Sequence, residues 1–186
     1  MNKRLNQLLL SSLLTLPITL ASAQPNEEEI IAKSRSVVTS FEKQLGGKLK
    51  NAMKSKGPLT AIDVCSKEAD TIADQVSKQF EVTVKRVTDK PRNPENAATP
   101  QEQLVLAQLA QLIQDNPSQP AELIRSTNNA FHYYRAITTK GLCLTCHGTA
   151  VAAPIKERLA AHYPNDKATG YQVDQLRGAF VVEWKN

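Results

Sequence analysis

The chain has 186 residues, of which 41% are hydrophobic and 22% are charged, and its formal net charge is +5 at pH 7. This length suits one domain that buries a sizeable hydrophobic core. Basic residues are scattered among acidic ones, and aromatic residues make up only 5% of the chain. The composition therefore argues against a nucleic-acid-binding protein.

The first residues are typical of a secretory signal peptide. Two basic residues precede an apolar stretch at 8–20, and small residues lead up to Ala23. A membrane anchor needs about 20 uninterrupted apolar residues, whereas Pro17 and several polar residues interrupt this stretch. We predict cleavage after Ala23, a periplasmic location, no membrane span after cleavage and a single domain at 24–186. Retention of 1–23 as an anchor is the alternative.

Two amphipathic helices are predicted next. Apolar residues recur at helical spacing over 30–53, so we expect one long N-terminal helix, kinked at the glycines of 46–47. The Gly-Pro pair at 57–58 ends it. In the second helix, apolar residues over 62–76 keep the same spacing. Cys65 lies in their stripe, which turns this cysteine towards the protein interior.

Alternating polarity and turn residues predict the remaining elements. The segment FEVTVKRV alternates apolar and polar residues from Phe80 onwards, as a half-buried strand does. After a proline-containing loop, Thr99 to Glu102 forms a capping box that opens a third helix. Two hairpin strands follow in ELIRS and AFHYYRAIT, then a short helix at 153–162 and a last strand in RGAFVVEW. Because the strands follow turns rather than crossover helices, the predicted fold class is α+β with an antiparallel sheet.

Cys143, Cys146 and His147 form a CxxCH motif within the stretch GLCLTCHGTA. This spacing is typical of covalent haem attachment, in which each sulfur bonds a haem vinyl group and the histidine binds the iron. Residues three and four apart on a helical turn share one face, as this chemistry requires. The motif predicts one covalently attached haem c.

Three other uses of a cysteine pair fit less well. A zinc site needs two more ligands, and only one cysteine remains in the chain. A thioredoxin-like dithiol follows a βαβ unit, whereas this motif lies near the C-terminal end. A disulfide between Cys143 and Cys146 closes a very short loop, which stabilises little.

Four residues are candidates for the second axial position on the iron. Met53 fits the apolar stripe of the first helix, which favours core packing. His132 lies in a predicted strand and His162 ends a helix, so structural or solvent-facing roles are favoured for both. Cys65 is the odd cysteine in an oxidising compartment and faces inward. A buried cysteine that acts as a small hydrophobic residue explains it equally well.

Five runs of the sequence follow one another in a recognisable order: AIDVCSKEA, RNPEN, HYYRAIT, CLTCHG and HYPNDKATGYQVDQLRGAFVV. Together they resemble a family of exported single-haem proteins once known only as a domain of unknown function, over about residues 28–184. The resemblance implies a PAS-like fold, in which helices flank a central antiparallel sheet and a c-type haem occupies the pocket. It also implies that His147 and Cys65 are the two axial ligands.

These observations lead us to expect a redox or diatomic-gas responsive haem-binding module, in which reduction releases Cys65 and opens a site for a small gas. The alternative is a soluble periplasmic electron-transfer cytochrome that docks with an acidic redox partner. A haem peroxidase-type enzyme is less favoured, because it needs an open position on the iron. Thiolate ligation predicts a negative reduction potential. Arg86, Arg92 and Arg135 are candidates for binding the haem propionates.

Overall fold

The computed structural model describes residues 26–127 and 129–185. The predicted signal peptide at 1–23 lies outside the described residues, so its cleavage stays a prediction. Over the described ranges, no helix combines the length and the hydrophobicity needed to cross a membrane. The helices and strands follow in this order: α1 (Glu27–Lys56), α2 (Pro58–Phe80), β1 (Thr83–Val87), α3 (Pro100–Asp115), β2 (Glu122–Ser126), β3 (Ala130–Thr138), α4 (Leu144–His147), α5 (Ala153–His162) and β4 (Leu176–Lys185).

The four strands form one antiparallel sheet in the order β1-β4-β3-β2. β3 and β4 are therefore the central strands, and β1 and β2 are the edges. Helices and an antiparallel sheet coexist in one fold that opens with a 30-residue helix. The predicted α+β fold class and the long N-terminal helix are confirmed.

Helices cover both faces of the sheet. Side chains alternate along β4, so Phe180 and Val182 pack with Phe41 under α1 and α2, while Val181 packs with Leu109 under α3. All five side chains are buried. The face under α1 and α2 is the one that also contributes to the cavity described below.

Local sequence signals fix several helix ends. The Asn26 side chain accepts a hydrogen bond from the Glu29 N–H at 2.8 Å, which caps α1. At α3, the Glu102 carboxylate accepts from the Thr99 N–H at 2.9 Å, and the Thr99 hydroxyl accepts from the Glu102 N–H at 3.3 Å. The predicted capping box is confirmed.

The prediction that a strand begins at Phe80 was wrong. α2 ends at Phe80 and is capped by Glu81, whose φ of 56° places it in the left-handed region. The strand β1 begins only at Thr83. Phe80 lies four residues after Val76, so it continues the buried helical stripe as well as it begins an alternating strand. Alternating polarity over so few residues does not distinguish the end of a helix from the start of a strand.

Candidate functional site

A cavity of about 480 Å³ lies between α1, α2, the sheet and the segment that carries the CxxCH motif. Its volume is in the range of small-molecule and cofactor sites. All three cysteines of the chain, one histidine and three arginines line it. This concentration of chemically active side chains makes it the candidate functional site.

The CxxCH motif lies on one wall of the cavity. A 3-10 turn at Gly141–Cys143 leads directly into the single helical turn α4, and both Cys143 and Cys146 are half-buried free thiols that line the cavity. The chain leaves α4 at Gly148, where an added Cβ would lie 2.6 Å from the Leu144 carbonyl oxygen. Only glycine permits this close approach, so Gly148 determines the direction in which the chain leaves the CxxCH motif.

His147 is held in one defined orientation. Its Nδ1 lies 2.7 Å from the Ala168 carbonyl oxygen. A carbonyl only accepts, so Nδ1 carries the proton and donates it. Nε2 then presents its lone pair, and it accepts from the Arg177 Nε–H at 3.3 Å. Burial lowers the pKa of His147 well below its usual value, and the nearby cations Arg177 and Arg92 lower it further. A neutral imidazole, oriented by a backbone carbonyl, is the form in which histidine binds metals.

Two further sulfur-containing side chains line the same cavity. Cys65 reaches it from α2 and Met53 from α1. Burial raises the pKa of the Cys65 thiol, whereas the charges of Arg86, Arg177 and Arg92 oppose that increase. Met53, predicted to pack in the core, is instead a half-buried residue of the cavity wall.

The other two histidines lie outside the residues that line this cavity. His132 lies 3.5 Å from a Glu183 carboxylate oxygen, and the Nε2 of His162 lies 2.9 Å from an Asp63 carboxylate oxygen. Both are half-buried. The structural roles predicted for His132 and His162 agree with these contacts.

The predicted arginines occupy different environments. Arg86 and Arg92 line the cavity, whereas Arg135 is not among its lining residues. Arg92 is anchored by the Asp166 carboxylate at 3.0 Å, and it donates to the Cys146 carbonyl oxygen at 2.6 Å. It therefore holds the CxxCH segment against the loop that follows α5.

Arg177 also lines the cavity, and sequence reasoning missed it. The register of β3 against β4 shifts after Ile137, which leaves Arg177 as the extra residue of a β-bulge. Gly178 permits the bulge, since its φ is 156° and an added Cβ would lie 2.4 Å from the Val87 carbonyl oxygen. The available signal was the isolated glycine within a strand of apolar residues, which is typical of a bulge.

The cavity carries an excess of positive charge. Among the described residues, neither Arg86 nor Arg177 makes a salt bridge. Arg86 lies over the Phe41 ring at 5.7 Å from its centroid. Burial, together with repulsion from Arg86 and Arg92, lowers the pKa of Arg177 to about 10. Because a buried unpaired cation is unfavourable, this cavity favours an anionic ligand.

The donor set differs from a closed metal site. Within residues 26–127 and 129–185, no group of three or more His, Cys, Asp or Glu side chains is arranged to hold a metal ion. This part of the chain therefore contains no group of side chains that matches the ligands of a zinc site.

Fold and site together define an α+β protein with a cofactor-sized cavity whose wall carries a CxxCH motif. The model of the Tll0287-like family matches residues 19–184, and the chain belongs to this family. A similar solved structure is that of the cyanobacterial haem protein Tll0287, with a TM-score of 0.64 and 25% sequence identity. The match covers 87% of this chain and 98% of that chain. No curated protein matches this chain. These matches support the predicted relationship to a haem-binding family.

Proposed function

We propose that this chain binds one haem c, attached covalently through Cys143 and Cys146, with His147 as the proximal iron ligand. The observation that carries the proposal is the cavity position of all three side chains, together with the orientation of His147 by the Ala168 carbonyl. When bound, the haem supplies an iron that changes oxidation state and binds diatomic gases. The periplasmic location and the PAS-like description of the fold belong to the same proposal.

Cys65 is the proposed second residue that would hold the haem iron, with Met53 as the alternative. Both side chains line the cavity, and neither His132 nor His162 is among its lining residues. Burial raises the pKa of the Cys65 thiol, and the charges of Arg86, Arg177 and Arg92 offset part of that cost for a thiolate. A neutral thioether gains nothing from these cations, so the electrostatics of the cavity favour the cysteine.

Arg86 and Arg177 are the proposed partners of the haem propionates. They are the two cavity arginines that make no salt bridge among the described residues, and carboxylates satisfy a guanidinium best. Arg92 is already engaged by Asp166, so its proposed role is to position the CxxCH segment. Arg135 remains a candidate from the sequence, but its place outside the cavity wall gives it less support.

A redox or gas responsive module is the function that we favour. Cys65 belongs to α2, which packs against both α1 and α5. With haem bound, Cys65 would hold the iron from α2, and the iron would supply a position for a diatomic gas if that sulfur were protonated and displaced after an electron donor had reduced the iron. The alternative function is that of an electron carrier. The exposed side chain of Leu142, next to Cys143, favours this alternative. Leu142 is 46% exposed and lines the cavity, so an apolar contact for a redox partner lies at the cavity mouth.

The first test is covalent attachment. Exported protein is purified, and its intact mass and absorption spectrum are recorded beside those of the Cys143→Ala/Cys146→Ala variant. We expect the mass of the polypeptide plus one haem in the wild type and of the polypeptide alone in the variant. A colourless wild-type protein with the mass of the polypeptide alone, made in cells that mature c-type cytochromes, contradicts the proposal.

The second test identifies the sixth ligand. Electron paramagnetic resonance spectra of the ferric wild type, Cys65→Ala and Met53→Leu are compared, the last being a volume-conserving control. We expect a low-spin thiolate signal that disappears only in Cys65→Ala. A signal that is unchanged in Cys65→Ala but lost in Met53→Leu assigns the position to the methionine.

The third test separates sensor from carrier. Carbon monoxide is added to the ferrous protein, and the absorption spectrum is followed. A new six-coordinate carbon monoxide spectrum supports the responsive module. An unchanged spectrum, combined with fast and salt-dependent electron exchange with an acidic redox protein, supports the carrier.

A further inference from the structure

The interior of α1 contains two adjacent glycines, Gly46 and Gly47. Glycine is the poorest helix former after proline, so a pair in the middle of a long helix weakens it. An added Cβ at either position meets no atom within 4 Å, and neither residue has a positive φ. Neither the packing of the described residues nor the backbone conformation therefore requires glycine at either position.

The two glycines face different surroundings. Gly46 lines the cavity and Gly47 does not. Successive helical residues are rotated by about 100°, so Gly47 points well away from the direction of Gly46. The residues of α1 that line the cavity are Phe41, Glu42, Leu45, Gly46, Leu49, Lys50 and Met53. Gly46 lies within this stripe, four residues from both Glu42 and Lys50, and is its only member without a side chain.

We infer that Gly46 is a size-determining residue of the cavity, whose missing side chain keeps room for the bound macrocycle against the backbone of α1. The inference rests on the proposed haem function. Glycine is the residue that allows a ligand to approach a backbone closely. Gly46 lines the same cavity as His147 and Cys65, and the apolar side chains of Leu45, Leu49 and Met53 line it as well. A larger side chain at Gly46 competes with the ligand for this volume.

Gly47 provides a matched control, because both substitutions bring the same gain in helix propensity. Gly46→Ala, Gly46→Leu, Gly47→Ala and Gly47→Leu are prepared in the full chain. Haem content is measured by intact mass, the iron environment by absorption, and stability by the melting temperature Tm. We expect Gly47→Ala to raise Tm by about 2–4 °C with an unchanged spectrum. Gly46→Ala should lack this gain and shift the spectrum, and Gly46→Leu should lose most of its haem.

The outcomes separate this inference from the proposed function. A wild-type protein without haem contradicts the proposed function, and the role of Gly46 with it. A haem-loaded wild type and a Gly46→Leu variant with the same haem content and spectrum overturn the inference alone. If Gly46→Leu is not recovered folded, Gly46→Ala decides: a Tm gain equal to that of Gly47→Ala, with an unchanged spectrum, overturns the inference.

Discussion

Gly178 allows β4 to approach β1 at the bulge, and its replacement by alanine should separate these strands. The added Cβ would lie 2.4 Å from the Val87 carbonyl oxygen and 3.1 Å from the Thr88 Cβ. Even close contacts between a carbon and a carbonyl oxygen lie near about 3.3 Å, so the distance to the Val87 oxygen is roughly 1 Å too small. Val87 pairs with Ala179 in the sheet. The clash is therefore with paired backbone, which moves only if the strand moves.

The expected loss of stability follows from two separate costs. Overpacking in a well-packed interior costs about 1–3 kcal/mol, and a non-glycine residue held in a sparsely populated φ/ψ region costs on the order of 1–3 kcal/mol. The φ of 156° at Gly178 brings in the second cost. We expect Gly178→Ala to lower the free energy of unfolding by about 3 kcal/mol. In a chain of this size, that change lowers Tm by about 6–12 °C.

Urea unfolding followed by circular dichroism measures this change. Gly141→Ala is the control, since an added Cβ at Gly141 meets nothing within 4 Å. In the haem-loaded protein, Gly178→Ala should also shift the absorption spectrum, because the bulge directs Arg177 into the cavity. A loss below about 1 kcal/mol, no larger than that of Gly141→Ala, would refute the packing argument.

Two further predictions concern charged residues. Arg177→Leu removes a cation beside His147. The loss of this positive charge favours ferric iron, so the reduction potential should fall by on the order of 60 mV, which equals about 1.4 kcal/mol for one electron. In the same redox titration, Arg135→Leu should shift the reduction potential by less than half as much. Equal shifts in the two variants would contradict the placement of Arg177, and not Arg135, at the cavity. Burial raises the pKa of Glu102, but the Lys85 ion pair at 2.7 Å and the Thr99 N–H outweigh burial and lower it overall. A lowered folded pKa stabilises the protein above the unfolded pKa of about 4.3, and this contribution is lost as the pH falls. In urea unfolding, Glu102→Gln should therefore cost about 1 kcal/mol at pH 7. This cost should shrink as the pH falls below about 4, and a pH-independent cost would contradict the prediction.

Signals that act over a few residues were sufficient to predict most of the fold. The capping box at Thr99, the Gly-Pro pair at 57–58 and the short helix at 153–162 each depend on neighbours within one or two turns. The CxxCH motif is equally local, so spacing alone predicts that Cys143, Cys146 and His147 act as a group. The structure places all three on the cavity wall, and their bonds to a haem stay a prediction. Cys65 required helical periodicity in addition, and this correctly directed it inward.

Other features depend on contacts between distant segments. The bulge at Arg177 arises from the register of β4 against both β1 and β3, and no pattern within β4 itself fixes that register. Met53 is similar, since the apolar stripe of α1 packs partly against the sheet and partly lines the cavity. Periodicity predicts that Met53 faces inward, but it does not distinguish a packed core from a cavity wall.

Three departures from ordinary folding rules converge on one cavity. Gly46 weakens the helix that lines it, the bulge at Gly178 directs the buried cation of Arg177 into it, and Arg86 lies in it without a salt bridge among the described residues. Each departure costs stability when the cavity holds no ligand. Natural sequences keep such local conflicts mainly at functional sites. A flat anionic cofactor offsets all three costs together, because it fills the space at Gly46 and neutralises the two cations. The haem-loaded protein should therefore be more stable than the same chain without haem.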